Sequence, residues 1–477
     1  MNKKKSKSAK KKKSKKRTKK TNNSKVSKSP NNSKKSKTKP RKKSSKKSKD
    51  ITPKPGDRVE IHLAKIIYEG ILLESPESEQ GIVLLKLDSG YNIGFKKKDV
   101  FDVKLLEQFK EEKQELELKK EKGKPNIAMI ITGGTIAARL NPKKGGVDWL
   151  TSPENLLKYY PGVFDKVNVV KVKVPFMKAS EDMDYKDWKK IARVSEKLLN
   201  DSNIKGIIIT HGTDFLHYTS AALSFFLNAT SKLNKPVVLT YSQRSIDRAS
   251  SDANLNLRCA ALAASSDIAE VMLVGHSSSN DDYCLAMPGT KVRKLHTSKR
   301  DAFKIVNGKA FARIYPDKLI KESEYNVKNT SKCKTDLKFD GRVALVKIYP
   351  GQEPSILDYY VKNKYKGLVL EMSGLGHAPT KRARKGWTNK LKDIQKKGVI
   401  VCAAAQTVHG RLDPLVYSNG RELLETGIIY LEDMLAETAL VKLGWVLGHE
   451  EWTNNKQDIK EKMLDNFSRE FSDRLEK

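Results

Sequence analysis

Apolar positions recur along this chain with two different periods. Between residues 51 and 104, VEIHLAKIIYEGILLES and GIVLLKLDSGYNIGFKKKDV alternate apolar with polar residues and break at Gly56, Gly70, Gly81 and Gly90. Alternation interrupted by turns every ~8–12 residues predicts a small antiparallel β-barrel. It holds no pair of acids or histidines that suggests chemistry, so it reads as a binding or docking module. Residues 105–124, LLEQFKEEKQELELKKEKGK, combine helix formers with interleaved charges and stop at Gly123 and Pro125. That pattern predicts an exposed linker helix with too few apolar positions for a coiled-coil seam.

From Asn126 the pattern changes. NIAMIIT, VNVVKVKV, GIIIT, PVVLT and EVMLVGH are short, nearly continuous apolar runs, and stretches of helical period such as YKDWKKIARVSEKLLN and FLHYTSAALSFFLNA lie between them. Continuous apolar strands suit a mostly parallel sheet covered on both faces, so residues 125–330 predict an α/β domain. The polar connector KNTSKCKTDLKFDG precedes a second α/β set at 340–450, with strands RVALVKIY, GLVLEM and VIVCAAAQ and a helix around LEDMLAETALVKLGWVLG. Residues 451–477 predict a charged surface helix.

Charge adds a further region. The formal charge is +38 over 477 residues. Residues 1–50 hold 25 Lys or Arg against one acid, so they carry +24, and 38 − 24 leaves +14 for the rest. A Lys/Ser/Asn tail has almost nothing to bury and is expected to be disordered. It suits either a nonspecific RNA-contacting arm or a solubilising extension; it has no aromatics for base stacking. Cys259, Cys284, Cys333 and Cys402 form no CxxC pair, which favours a reduced, intracellular protein without structural zinc. Without an apolar segment behind the N-terminal charges or a run of ~18 apolar residues, the expectation is a cytoplasmic protein that does not span a membrane.

Two glycine turns fall where strands should end: TGGT after NIAMII and THGTD after GIII. In open α/β sheets ligands bind outside the carboxyl ends of the strands. Gly133 and Gly134 let the backbone approach a substrate closely, and Thr135 offers a hydroxyl suited to nucleophilic attack on an amide. A phosphate-binding Walker loop would need Gly-Lys-Ser/Thr, and none follows. Thr213 and Asp214 precede a helix whose first free N–H groups can hold a carboxylate or a developing oxyanion. His211 and His217 flank the second turn and are expected to serve in structural hydrogen bonds.

The pair TGGTIA and THGTD resembles the type I/II L-asparaginases. With GYNIG, SEDM at 180–183, HGTDFLHYTSAALSF, QRSIDRASSDANLN, GTKVRKLHTSKRDAF, SGLGHAP and VYSNGRELLETG, the chain is more similar still to the archaeal-type D subunits of glutamyl-tRNA(Gln) amidotransferases. The resemblance covers roughly residues 51–450, including the barrel that bacterial asparaginases lack. It implies an asparaginase-like core of a larger N-terminal and a smaller C-terminal α/β domain behind the small barrel and the basic tail.

The resemblance also implies roles. Thr135 would be the nucleophile, Thr213, Asp214 and Lys294 the proton-handling group, and Ser180, Glu181 and Asp214 the binders of the amino-acid head. A lysine buried beside polar groups can be pushed toward its neutral, proton-accepting form. The family pattern implies no cofactor in this chain, with ATP, Mg2+ and most tRNA(Gln) contacts belonging to the E subunit of the amidotransferase, and a homodimer within a heterotetramer. A stand-alone cytoplasmic L-asparaginase is the competing expectation, and a catalytically dead RNA scaffold a third. The barrel, linker and tail argue against the asparaginase, and the intact Thr135, Thr213, Asp214 and Lys294 against the scaffold. Three departures stand out: Asn141-Pro142 where the family carries Asp-Tyr, Phe215 where threonine is usual after HGTD, and Tyr241-Ser242 in place of Gly-Ala before QRS.

Overall fold

The computed structural model describes residues 52–75, 81–89, 91–108, 121–141, 146–149, 162–228, 232–246, 248 and 250–474. The basic tail, most of the expected linker helix (109–120) and Pro142 lie outside the described residues.

The first alternating region forms five antiparallel strands: β1 (Arg58–His62), β2 (Ile67–Leu73), β3 (Ile82–Lys86), β4 (Asn92–Lys96) and β5 (Asp102–Glu107), hydrogen-bonded in the order β4-β3-β2-β1-β5. Alternate residues turn inward, so Val59, Ile61, Leu85 and Phe95 form their own small core. The pairing of Val59 with Leu105 and of Arg58 with Glu107 extends β5 past residue 104. Residues 105–107 are therefore strand rather than the start of a helix: their backbone pairs with an open edge of β1, and that pairing overrides helix propensity.

The next domain carries an eight-stranded sheet built from β6 (Asn126–Ile131), β9 (Asn168–Lys173), β10 (Ile207–Thr210), β11 (Val237–Thr240), β12 (Val271–His276), β13 (Cys284–Pro288), β16 (Ala312–Ile314) and β17 (Leu319–Lys321). Its order is β17-β16-β13-β12-β11-β10-β6-β9; the five strands from β9 to β12 are parallel, and β13, β16 and β17 extend it antiparallel. Two hairpins lie outside it, β7 (Ala138–Asn141) with β8 (Gly146–Trp149) and β14 (Val292–Lys294) with β15 (Phe303–Ile305).

The apolar runs are continuous because both faces of the sheet are covered. Ile207 and Ile209 of β10 enter one core with helices α1 (Tyr185–Leu199) and α2 (Leu216–Asn228). Ile208 enters the other, with α3 (Ala253–Ser265). A capping box starts α1: the Asp184 carboxylate accepts from Lys186 N at 2.7 Å and Asp187 accepts from Asp184 N at 3.3 Å.

The C-terminal domain has four parallel strands, β18 (Val343–Lys347), β19 (Gly367–Met372), β20 (Ile400–Ala405) and β21 (Ile429–Tyr430). Helices α4 (Ile356–Lys362), α5 (Thr388–Lys396), α6 (Ser418–Leu424) and α7 (Ala436–Val446) accompany them. Val369 and Cys402 face the same core as α1 and α2, where Trp445 of α7 stacks on Phe225 of α2 at 5.5 Å between ring centroids. The two domains thus share apolar surface.

The expected surface helix at 451–477 is replaced by something shorter. Among the described residues of this stretch the full helical segment is α8 (Lys456–Leu464), after a 3-10 turn at Glu450–Trp452; residues 465–474 run as an irregular strap with Glu470 fully buried. The reason is charge: Lys442 on α7 is also fully buried, and its ammonium meets Glu470 Oε1 at 2.6 Å. A buried cation needs a fixed counter-charge, and the strap brings it.

Candidate active site

In the parallel part of the sheet the chain runs from β6 outward to β9, then returns to β10 on the other side of β6. Reversal of strand order opens a crevice at the carboxyl ends of β6 and β10. Both glycine turns lie there, since TGGT follows β6 and HGTD follows β10.

The turns are locked by backbone contact. Thr132 donates from its amide to Thr210 O at 3.2 Å and from its hydroxyl to the same oxygen at 2.8 Å. Gly133 and Gly134 have φ of 121° and 83°. A Cβ on Gly134 would lie 2.4 Å from Gly212 N, and one on Gly133 would lie 2.3 Å from Lys178 O. Only glycine fits where φ is positive and two main chains touch. Lys178 N in turn donates to Thr132 O at 3.0 Å. Thr135 is half-buried and opens a single 3-10 turn, Thr135–Ala137, closed by Ala137 N on Gly134 O at 2.9 Å.

The third segment arrives after β9. Ser180 opens the 3-10 turn Ser180–Asp182 and is buried against Gly212: a Cβ on Gly212 would stand 2.8 Å from Ser180 Oγ. Ser180 Oγ donates to Glu181 Oε2 at 3.3 Å, and Glu181 is exposed. The structure therefore brings TGGT, HGT and SED to one crevice.

Lys294 completes the cluster from the β14–β15 hairpin. Its Nζ donates to Thr213 Oγ1 at 2.8 Å and to Asp214 Oδ1 at 2.6 Å; the lysine side chain is 10% exposed and Asp214 59%. A cation joining a half-buried hydroxyl to an open carboxylate can hold or move a proton at Thr213 Oγ1, and it leaves Asp214 facing solvent for a ligand's ammonium.

The histidines differ from one another. Burial pushes His211 down to about 4, and its ring is spanned by Gly212 O on Nδ1 at 2.7 Å and Thr219 Oγ1 on Nε2 at 2.9 Å. His211 thus props the second turn as a neutral ring. Burial, with Arg293 and Lys294 nearby, takes His217 down to about 3, but its Nδ1 has no hydrogen-bond partner, so the hydrogen bond expected there is missing at that atom.

Two of the unusual residues have structural work. Tyr241 is fully buried, donates its hydroxyl to Arg300 O at 3.0 Å and packs its ring on Phe303 at 4.5 Å. Phe303 is the register partner of Lys294, so Tyr241 supports the lysine hairpin from behind. Ser242 Oγ joins Asp252 Oδ1 at 3.2 Å, and that carboxylate also accepts from the amides of Gln243 and Arg244. Phe215 is exposed beside Tyr218. Among the described residues no group of three or more His, Cys, Asp or Glu could hold a metal ion.

Residues 126–327 match the asparaginase N-terminal domain, 342–463 the glutaminase/asparaginase C-terminal domain and 53–106 the GatD N-terminal domain. The chain is 44% identical to the D subunit of glutamyl-tRNA(Gln) amidotransferase from Thermococcus kodakarensis, over 86% of its own length and 91% of the relative's. Against the corresponding D subunit from Archaeoglobus fulgidus it is 40% identical, over 85% and 93%. This chain belongs to the amidotransferase D-subunit family. The thermostable L-asparaginase from T. kodakarensis superposes on this D-subunit chain with a TM-score of 0.65 at 28% identity, covering 73% of it and 99% of the asparaginase. The family and the asparaginase-like fold implied by the motifs agree with these findings.

The motif spacing did not reveal the partners that hold the lysine hairpin, Asp433, Glu437, Thr438 and Ser468. They lie more than a hundred residues downstream, in stretches with no recognisable spacing to GTKVRKLH.

Proposed function

We propose that this chain is the ammonia-producing component of a glutamyl-tRNA(Gln) amidotransferase, with Thr135 as nucleophile. Thr135 Oγ attacks the side-chain amide carbon of glutamine, and amides of the glycine turns stabilise the oxyanion. The tetrahedral species then collapses, expelling the amide nitrogen as ammonia once it is protonated, and water cleaves the resulting ester. Lys294 and Thr213 carry the proton, while Asp214, Ser180 and Glu181 hold the α-amino and α-carboxyl groups of the substrate. The observation that carries this reading is the meeting of three strand-end loops in one crevice, with Lys294 Nζ on both Thr213 and Asp214.

We assign ATP, Mg2+ and most tRNA contacts to the amidotransferase E subunit as partner, which activates Glu-tRNA(Gln) and receives the ammonia. The assembly is taken as a homodimer of this chain within a heterotetramer, working in the cytoplasm where charged tRNA is found. The basic tail adds a salt-sensitive RNA contact. A stand-alone asparaginase has in its favour the likeness to L-asparaginase structures, but it leaves residues 53–106 without a purpose.

The test is ammonia release from glutamine by the chain alone and with the E subunit and Glu-tRNA(Gln). Release is expected to be low alone and to rise strongly in the complex, and Thr135→Ala is expected to abolish it without unfolding the protein. Vigorous unassisted asparagine hydrolysis would favour the asparaginase reading, and activity surviving Thr135→Ala would remove Thr135 from its role.

A further inference from the structure

The hairpin that delivers Lys294 is gripped from the other domain at almost every residue leading up to it. Thr290 O accepts from Thr438 Oγ1 at 2.8 Å, and Thr290 Oγ1 donates to Ser468 O at 2.8 Å. Lys291 Nζ meets Asp433 Oδ2 at 2.7 Å with both side chains buried. Arg293 Nε meets Glu437 Oε1 at 2.9 Å. All four partners belong to the C-terminal half, on the approach to α7, within it, or in the strap after α8.

Side chains alternate along a strand, so neighbours on β14 leave opposite sides of it. Lys294 goes to Thr213 and Asp214, while Arg293 goes to Glu437. A strand three residues long has few ladder bonds of its own, and among the described residues its partner strand is the equally short β15. Within the strand itself, beyond the grips on Thr290 and Lys291 and the Tyr241 ring against Phe303, orientation depends on what holds its outward side chain. Glu437 is a demanding anchor: its carboxyl is buried, burial raises its pKa, Arg293 is the first charge opposing that rise, and Oε2 has no hydrogen-bond partner.

We propose that Arg293 is a positioning residue for amide hydrolysis. Paired with Glu437, it orients β14 so that Lys294 Nζ stays on Thr213 and Asp214, which makes chemistry in the N-terminal domain conditional on the C-terminal domain being seated against it. The inference rests on the reading that Lys294 serves Thr213 during hydrolysis. A base displaced by ~1 Å loses rate far more than affinity, because Ser180, on a separate segment packed against Gly212, is not carried by the hairpin.

With the E subunit and Glu-tRNA(Gln) present, the experiment compares the full chain with Arg293→Met, Arg293→Lys, Glu437→Gln and Lys294→Met, reading kcat and KM for ammonia release together with the melting temperature of each chain. Arg293→Met is expected to lower kcat by about tenfold or more with KM within about twofold of wild type. Glu437→Gln should act in the same direction, and Arg293→Lys should recover part of the loss by restoring a cation opposite Glu437.

An Arg293→Met chain with kcat within about twofold of wild type, while Lys294→Met is inactive, would overturn the positioning role and leave the proposed chemistry standing. Activity in Lys294→Met would overturn that chemistry instead. A fall in kcat that follows the melting temperature and is not relieved by Arg293→Lys would mark Arg293 as merely structural. If Arg293→Met does not fold, the other two variants decide: unchanged kcat in both overturns the proposal, and a lowered kcat at constant KM in Glu437→Gln supports it.

Discussion

Two parts of the candidate site are held in place by different physics. The junction of TGGT and HGT is main chain against main chain, with no side chain between Gly134 and Gly212. The lysine hairpin is held by side chains, above all by ion pairs reaching across from the other domain. The first arrangement comes with the fold of a single sheet and leaves little freedom. The second can fail while the sheet stays intact, which makes it the place where the position of one domain can bear on the chemistry of the other.

The largest expected effect falls on the hairpin. Lys291→Met takes away the close cation from the buried carboxylate of Asp433, leaving it Arg411 at 3.9 Å and the Ser472 amide at 3.2 Å. Removing one partner of a buried pair costs about 3–5 kcal/mol, and urea denaturation should register it. A loss below about 1 kcal/mol would mean that the hairpin is not anchored as described. At the junction, Gly134→Ala forces a methyl against Gly212 N at a positive φ. Ammonia release should fall by roughly 100-fold, since small displacements of reacting groups carry losses of that order. Retention of most activity would show that the two turns can part without harm.

Acid separates the two parts more gently. His211, which props the junction, and His217, beside the hairpin, are held near about 4 and about 3, below the ordinary histidine value of 6.5. A depressed histidine means that the unfolded chain binds the extra proton first, so stability is complete above pH ~6.5 and declines as the pH falls toward the folded values. Each ring should contribute about 2 kcal/mol of loss by pH 5. In denaturation curves from pH 7.5 to 5, His217→Gln should flatten the decline by about half. An unchanged slope would show that His217 does not titrate as buried.

Much of the fold was legible because its signals are local. Continuous apolar runs at 126–131, 207–210 and 237–240 read as strands covered on both faces, and Ile207, Ile208 and Ile209 do divide between two cores. The misreadings came where a distant partner decides local structure. Residues 105–107 look helical, yet β1 offers them a free edge. Residues 465–474 carry the composition of a solvated surface, yet Lys442 draws Glu470 into the interior. Tyr241 looked like a departure from pattern and proves to be a buried support under Phe303 and Arg300.

The sequence by itself determined the alternation of strands and helices and the two glycine turns, because periodicity and turn chemistry act between neighbours in the chain; Thr135 stood out on the first turn, while the roles expected of Thr213, Asp214 and Lys294 came from the resemblance of whole motifs to a family. Only the tertiary structure decided that Ser180 lies under Gly212, that Lys294 reaches Thr213 and Asp214, and that Arg293 turns away to Glu437. Those are meetings of groups some thirty to nearly one hundred and fifty residues apart. What brings them together is burial, which forces each enclosed charge and each close backbone contact to find the one partner that fits.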